Sequence, residues 1–186
     1  LDALVLSHHD ADHDGGFAAV AQAKKPALLW AGQPEVYPQA RHCAEQSWQW
    51  NGVHFEFLRP SEDFAGQSDN DQSCVLRVLA GSSALLLTGD LGQAGERALV
   101  ARYGEKLYSQ VLLLGHHGSN SSSAGTFLNA VSPRYAVASS GYANAYNHPA
   151  PAVQARVRAH GGTLLRTDRQ GALLFELGGE EVTTGR

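Results

Sequence analysis

Between positions 8 and 13 the segment Ser7-His8-His9-Asp10-Ala11-Asp12-His13-Asp14-Gly15-Gly16 gathers three histidines and two aspartates. It follows an apolar run, Ala3 to Leu6, that reads as a buried strand. A strand ending in a tight loop turns alternate side chains to different sides of one cavity. His8 and Asp10 can then face one metal ion, and Asp12 and His13 a second. Strong donors this close together are unfavourable unless a cation sits among them, because like charges repel and each is costly to desolvate. The alternative is an acidic, solvated loop. The apolar lead-in and the Gly15-Gly16 exit argue against it.

Three more loops repeat the arrangement of an apolar strand delivering polar residues. Leu85-Leu86-Leu87 runs into Thr88-Gly89-Asp90, by itself a weak signal that an ordinary turn would also give. Val111 to Leu114 runs into Gly115-His116-His117-Gly118-Ser119. Glycines let the backbone approach a ligand closely, and paired histidines between them are rarely a packing choice. His116 is the metal ligand of the pair; His117 supports it, donates a proton to a leaving oxygen, or is a ligand instead. The last loop, Asn144-Ala145-Tyr146-Asn147-His148-Pro149, follows Ser139-Ser140-Gly141. Alone, His148 would be a loop histidine.

The elements that must position these loops follow from hydrophobic periodicity and turn residues. Strands are expected at 3–7, 27–30, 110–114 and 135–139, and helices at 16–23, 39–46, 94–103, 124–131 and 151–159, the last opening at Pro151. Residues 47–50 and 53–58 around Asn51-Gly52 read as a hairpin with a type I′ turn. Residues 73–79 and 84–88 read as a second hairpin, and 163–166 with 171–177 as a final pair of strands. Residues 61–72 read as a loop. This mixture implies an α/β fold with sheets sandwiched between helices and functional loops along one edge.

The 186 residues suffice for one domain, 1–186, with a sizeable core. No apolar stretch approaches the roughly 18 residues needed to span a bilayer. The net charge of −4 argues against a surface that coats nucleic acid indiscriminately. It leaves room for a polyanionic substrate where metal ions add positive charge. Arg156, Arg158, Arg166 and Arg169 bias the C-terminal part towards the basic, either as scattered surface residues or as a phosphate track. Two cysteines, Cys43 and Cys74, make no disulfide framework; Cys74 reads as a core residue and the redox compartment is not legible.

The spacing His8-x-Asp10-x-Asp12-His13 resembles the metal-binding signature of the metallo-β-lactamase superfamily, His-x-His-x-Asp-His, with Asp10 replacing the second histidine. A carboxylate there hardens the first site towards Mn²⁺, Mg²⁺ or iron, although Zn²⁺ stays possible. In that superfamily an aspartate placed like Asp90 bridges two metals. The ordered set of the first motif, Thr88-Gly89-Asp90, His116-His117-Gly118-Ser119, Asn144-x-Tyr146-x-His148-Pro149 and Arg166-Thr167-Asp168-x-x-Gly171 is similar to the C-terminal metallo-β-lactamase-like domain of the ComEC family of DNA-uptake channels. The likeness spans essentially the whole chain. It implies an αββα sandwich, here without the family's strands upstream of the first motif, so that an exposed sheet edge or interface is expected. A further superfamily histidine is replaced by Asn70-Asp71-Gln72-Ser73.

The resemblance implies a metal-dependent phosphodiesterase that degrades the DNA strand not imported during transformation. His8, Asp10, Asp12, His13, Asp90 and His116 would hold two divalent ions, Mn²⁺ or Zn²⁺. Asp12 would orient the nucleophile. His117 or His148 would assist the leaving oxygen, or His148 would complete the second metal site. Ser119 and Asn144 are candidate phosphate donors. Tyr142 and Tyr146 can stack on bases, though loop packing is the favoured reading. The implied partners are single-stranded DNA, the membrane channel part of the same protein and other competence proteins. The implied setting is the inner membrane, with this domain extracytoplasmic. The alternatives are another two-metal phosphoester hydrolase and a non-catalytic metal-binding module of the channel.

Overall fold

The computed structural model describes residues 1–44, 46–60, 64, 68–179 and 183–185. Its centre is a seven-stranded sheet in the order β10-β9-β8-β7-β6-β5-β4. These strands are β4 (Ser47–Trp50), β5 (Val53–Leu58), β6 (Val75–Ala80), β7 (Ser83–Leu87), β8 (Val111–Leu113), β9 (Tyr135–Ala138) and β10 (Thr163–Arg166). β7 to β10 run parallel, and β4 to β7 are antiparallel. A smaller parallel sheet joins β1 (Ala3–Leu6), β2 (Leu28–Ala31) and β3 (Arg41–His42). β11 (Leu174–Glu176) pairs antiparallel with β12 (Thr183–Gly185).

Period-two alternation sorts the large sheet's side chains onto two faces. Leu86, Leu112, Ala136 and Ala138 enter the main core. There they meet Leu99 of α3 (Gln93–Tyr103), Phe127 and Leu128 of α4 (Gly125–Val131), and Val153 and Val157 of α5 (Pro151–Ala159). (Two helical segments precede these, α1 at Ala11–Asp14 and α2 at Phe17–Lys24, and α6, Thr167–Gln170, follows β10.) Leu85, Val111, Leu113 and Val137 face the other way and are covered by Leu173, Phe175 and Leu177 around β11. Between the two sheets Trp30 of β2 stacks on Trp48 of β4 at 4.9 Å and meets Phe57 edge-on. Phe17 of α2 and Tyr37 close the outer face of the small sheet. Helices, sheet, sheet and helix make the expected αββα sandwich.

Most elements lie where the sequence places them. Asn51 and Gly52 both have positive φ, 47° and 80°, as a type I′ turn requires. One expectation fails. Residues 39–46 form no helix among those described: Gln39 is left-handed at φ 70°, and Arg41–His42 adds to the small sheet beside β2. The final two strands are both present; β10 joins β9 in parallel, and α6 separates it from β11. Part of the 61–72 loop, residues 61–63 and 65–67, lies outside the described residues; Asn70–Gln72 is one 3-10 turn. No helix of the described residues is long and apolar enough to cross a membrane.

Cys43 and Cys74 are both buried, and they are joined in a disulfide across 31 positions. The bridge ties the end of β3 to the start of β6, and so the small sheet to the large one. Cys74 is a core residue as expected, but a cross-linked one. Glu96 of α3 is fully buried, and its carboxylate accepts from Ser123 N at 2.6 Å and Ala124 N at 2.8 Å, where α4 begins. Burial outweighs those two bonds and pushes its pKa from 4.5 up to about 7.

Two stability measurements follow from these features. Closing a loop of this length constrains the unfolded chain, so reduction, or Cys43→Ser with Cys74→Ser, lowers the unfolding free energy by about 3–4 kcal/mol in denaturant titrations. The folded state holds the Glu96 proton more tightly than the unfolded chain. Its contribution is therefore complete below pH 4.5 and is lost as the pH rises through about 7. Unfolding midpoints taken from pH 4.5 to 8 should fall by an amount equivalent to about 3 kcal/mol more for wild type than for Glu96→Gln.

Candidate metal centre

The loops that follow β1, β7 and β8 meet at one end of the sandwich. After β1, Asp10 adopts extended backbone and its Oδ1 caps α1 by accepting from Ala11 N at 2.8 Å. The turn that it starts carries Asp12 and His13. After β7, Thr88 Oγ1 donates to Leu113 O, and Gly89 takes φ 54°. A Cβ at Gly89 would stand 2.7 Å from Ser73 Oγ and 3.0 Å from Ser7 Cβ, so only glycine lets Asp90 approach the first loop. Asp90 N then donates to Ser73 Oγ at 3.0 Å. After β8, His116 and His117 are both left-handed, at φ 49° and 54°. Two adjacent non-glycine residues in that region store backbone strain of order 1–3 kcal/mol each.

Two overlapping groups of donors result: His8, His13 and Asp90, and Asp12, His13 and His117. His13 Nε2 lies 3.1 Å from Asp90 Oδ1 and 3.2 Å from His117 Nε2, which is itself 3.0 Å from Asp12 Oδ2. Separations like these suit donors that each stand about 2.0–2.2 Å from a shared ion. His8 is fully buried and Asp90 nearly so; His8 Nε2 has no hydrogen-bond partner among the described residues, while Asp90 Oδ1 faces His13 Nε2. A buried imidazole nitrogen without a partner, converging with a buried carboxylate and a second imidazole, fits a divalent cation.

The opposite ring nitrogens are anchored. Ser7 Oγ lies 3.2 Å from His8 Nδ1 and 3.0 Å from His13 Nδ1, and Ser73 Oγ lies 3.4 Å from His8 Nδ1. His117 Nδ1 donates to Ser139 O at 2.9 Å. A carbonyl only accepts, so this bond places the proton on Nδ1 and leaves the Nε2 lone pair for a metal. Among the protein's own groups, the electrostatics differ from ring to ring. Burial, then the charge of His13, depresses the His8 pKa, while the Asp90 carboxylate raises that of His13. Burial resists ionisation of Asp90, but its contact with His13 and the charges of His117 and His116 outweigh that and hold its pKa down.

The remaining candidate residues take different places. Asp10 lies outside both donor groups, and its Oδ1 caps α1. His116 Nε2 stays 3.7 Å from Asp90 Oδ2 and outside the groups, with Nδ1 3.0 Å from Ser121 Oγ, whereas its neighbour His117 is inside. His148 borders the site, its ring 5.9 Å from that of His116, and burial lowers its pKa. Ser119 Oγ accepts from Ser121 Oγ and so braces the support of His116. Asn144 is not free to bind phosphate. Its amide donates to His148 O and Gly141 O, and its Oδ1 accepts from His148 N. Sequence reasoning gave Ser7, Ser73, Ser121 and Ser139 no role. Only Ser73, within the stretch that lacks the extra histidine, carried a signal. Two cavities of about 370 Å³ and 290 Å³ adjoin the donors, and Asp12, His117 and Ser139 line both.

A family model described as the metallo-beta-lactamase superfamily matches residues 1–142. The chain is 69% identical over 178 residues to competence protein ComA of Neisseria gonorrhoeae, covering 96% of this chain and 26% of that protein. It is 34% identical over 163 residues to recombination protein 2 of Haemophilus influenzae, covering 86% and 20%. The chain thus spans about a quarter or less of the length of these relatives. Among solved structures, CmlA, a diiron β-hydroxylase from Streptomyces venezuelae, superposes with a TM-score of 0.57 at 11% identity, covering all of this chain and 45% of that one. This last likeness concerns the fold alone.

Calorimetric titration with Zn²⁺ or Mn²⁺ tests the ligand assignment. His13→Ala removes a donor from both groups and should abolish measurable binding. Ser7→Ala should weaken it by about 10- to 100-fold. Asp10→Ala should leave affinity within about 3-fold while costing about 1 kcal/mol of stability through the lost cap. A loss from Asp10→Ala as large as that from His13→Ala would return Asp10 to the ligand set.

Proposed function

The chain belongs to the metallo-beta-lactamase superfamily, and on that premise we propose that it is the metal-dependent phosphodiesterase of a ComEC-type DNA-uptake protein, degrading the DNA strand that is not imported. One observation carries the reading: His8, Asp12, His13, Asp90 and His117 bring their donor atoms into two overlapping groups at the mouth of two cavities. The donor set would suit two divalent ions, Mn²⁺ or Zn²⁺, with His8, His13 and Asp90 available to one and Asp12 and His117 to the other. Ions bound there would supply an acidified water and neutralise charge developing on the phosphoryl oxygens.

The chain's own residues do the rest. Asp12, more than half exposed and 3.0 Å from His117 Nε2, can accept the nucleophile's proton and hold its orientation. With His117 drawn into the ligand group, His148 is the residue left to assist the leaving oxygen. Its lowered pKa keeps it neutral near pH 7, so it serves as a hydrogen-bond donor. Arg158 and Arg169 line a groove of about 410 Å³ along β10 and α5, suited to a polyanion despite the net negative charge, whereas Arg166, which also lines it, is held in a bidentate pair by Asp168. Arg156 is not part of it, since it donates to Asn120 Oδ1 and Ser122 O.

The biological setting is drawn from the relatives named for competence. The substrate is single-stranded DNA, and the partners are the membrane channel part of the same protein and other competence proteins, with this C-terminal domain held at the inner membrane. The buried Cys43–Cys74 disulfide favours the extracytoplasmic, oxidising side.

End-labelled single-stranded DNA incubated with the protein, with and without Mn²⁺, tests the proposal. Cleavage should require the metal, and Asp12→Ala should lower it at least about 100-fold. A folded, metal-loaded protein that cleaves no phosphodiester would instead be a non-catalytic metal-binding module of the channel.

A further inference from the structure

Tyr142 and Tyr146 are 89% and 81% exposed, so loop packing, the reading favoured from sequence, does not account for either ring. The loop that carries them is nevertheless well held. Asn144 bonds to Gly141 O and to both backbone groups of His148, Asn147 N donates to Asn144 O, and Ala150 N donates to Gly118 O. Tyr146 stacks on His148, with ring centroids 5.7 Å apart and planes 17° from parallel, the one ring partner it has among the described residues. Tyr146 and His148 line the 290 Å³ cavity together with Asp12 and His117, whereas Tyr142 is outside that lining.

A fixed, exposed aromatic face at the rim of a cavity that also holds two metal donors has the shape of a nucleotide site. The planar group would lie on the ring and the phosphate would reach the donors. We propose that Tyr146, backed by His148, is the stacking platform for a nucleobase next to the scissile phosphate. Because a base must leave its helical stack to lie there, the platform selects unpaired strands over duplex. The link to a scissile phosphate rests on the phosphodiesterase reading, but the base contact itself is measurable without turnover.

The Mn²⁺-loaded protein is titrated calorimetrically with deoxyadenosine 5′-monophosphate and with 2-deoxyribose 5-phosphate, which lacks the base. Wild type should prefer the nucleotide by about 5- to 100-fold. The preference should fall to about 2-fold or less in Tyr146→Ala and persist in Tyr146→Phe, which keeps the ring. Tyr142→Ala, removing an equally exposed ring outside the cavity, should keep it too. Equal affinity for the two probes in wild type, including no binding of either, overturns the platform, as does an undiminished preference in Tyr146→Ala. A base preference that vanishes in Tyr146→Ala, found in a protein that cuts no DNA, would support the platform and sink only the phosphodiesterase.

Discussion

A carboxylate buried among imidazoles sets the terms for the rest of this molecule. Asp90 is 3% exposed, and removing an ionised carboxylate from water costs several kcal/mol unless positive charge or donors replace the solvent. His13, His116 and His117 supply part of that replacement, and His8 stands with an unpaired nitrogen beside it. A divalent cation of the kind the superfamily binds would complete the arrangement. Its local oddities serve to hold the donors at the right separations: the glycine at 89, the consecutive left-handed histidines and the serines behind the rings.

The two-sheet architecture makes this placement possible. The loops after β1 and β7 belong to different sheets, and their meeting depends on how the sheets pack. The Trp30–Trp48 stack and the Cys43–Cys74 bridge fix that packing. Ser73 precedes Cys74 directly and touches both His8 and the backbone of Asp90, so the register of β6 is passed straight to the donors. On the helical side, Glu96 holds the amides of Ser123 and Ala124. It thereby steadies the serine-rich turn from which Ser121 reaches His116.

Features set by short-range chemistry were legible in the sequence. The Asn51-Gly52 turn, the alternation in β7 to β9 and the loops bearing His8, Asp12, His13 and Asp90 are local patterns of residue type. Which histidine of the 116–117 pair faces the donors was not legible. That depends on two positive φ values and on the position of Ser139 O, 22 residues away from His117. Asp10 fits the motif's spacing, but its part in capping α1 depends on where that helix begins, which the spacing does not encode. The helix expected at 39–46 gave way to pairing with β2, which no local propensity encodes. The disulfide depends on the sheets having met. Tyr146 looked like packing because aromatic residues in loops commonly are; only the three-dimensional placement shows that its ring, apart from the stack on His148, is largely exposed.

Every candidate donor stands just beyond the end of a strand rather than within one. The residues that make the sandwich cohere and the residues that touch a ligand are therefore almost disjoint sets. Leu86, Leu112 and Ala136 are fully buried and bind the sheet to its helices, while the loops beyond the strand ends carry the donors. Such a scaffold is evolvable in a specific sense. New chemistry can be acquired by exchanging loops at one rim while the thermodynamics of folding are inherited intact. The positions that couple the two sets, Ser73 and Gly89 foremost, are where that freedom stops.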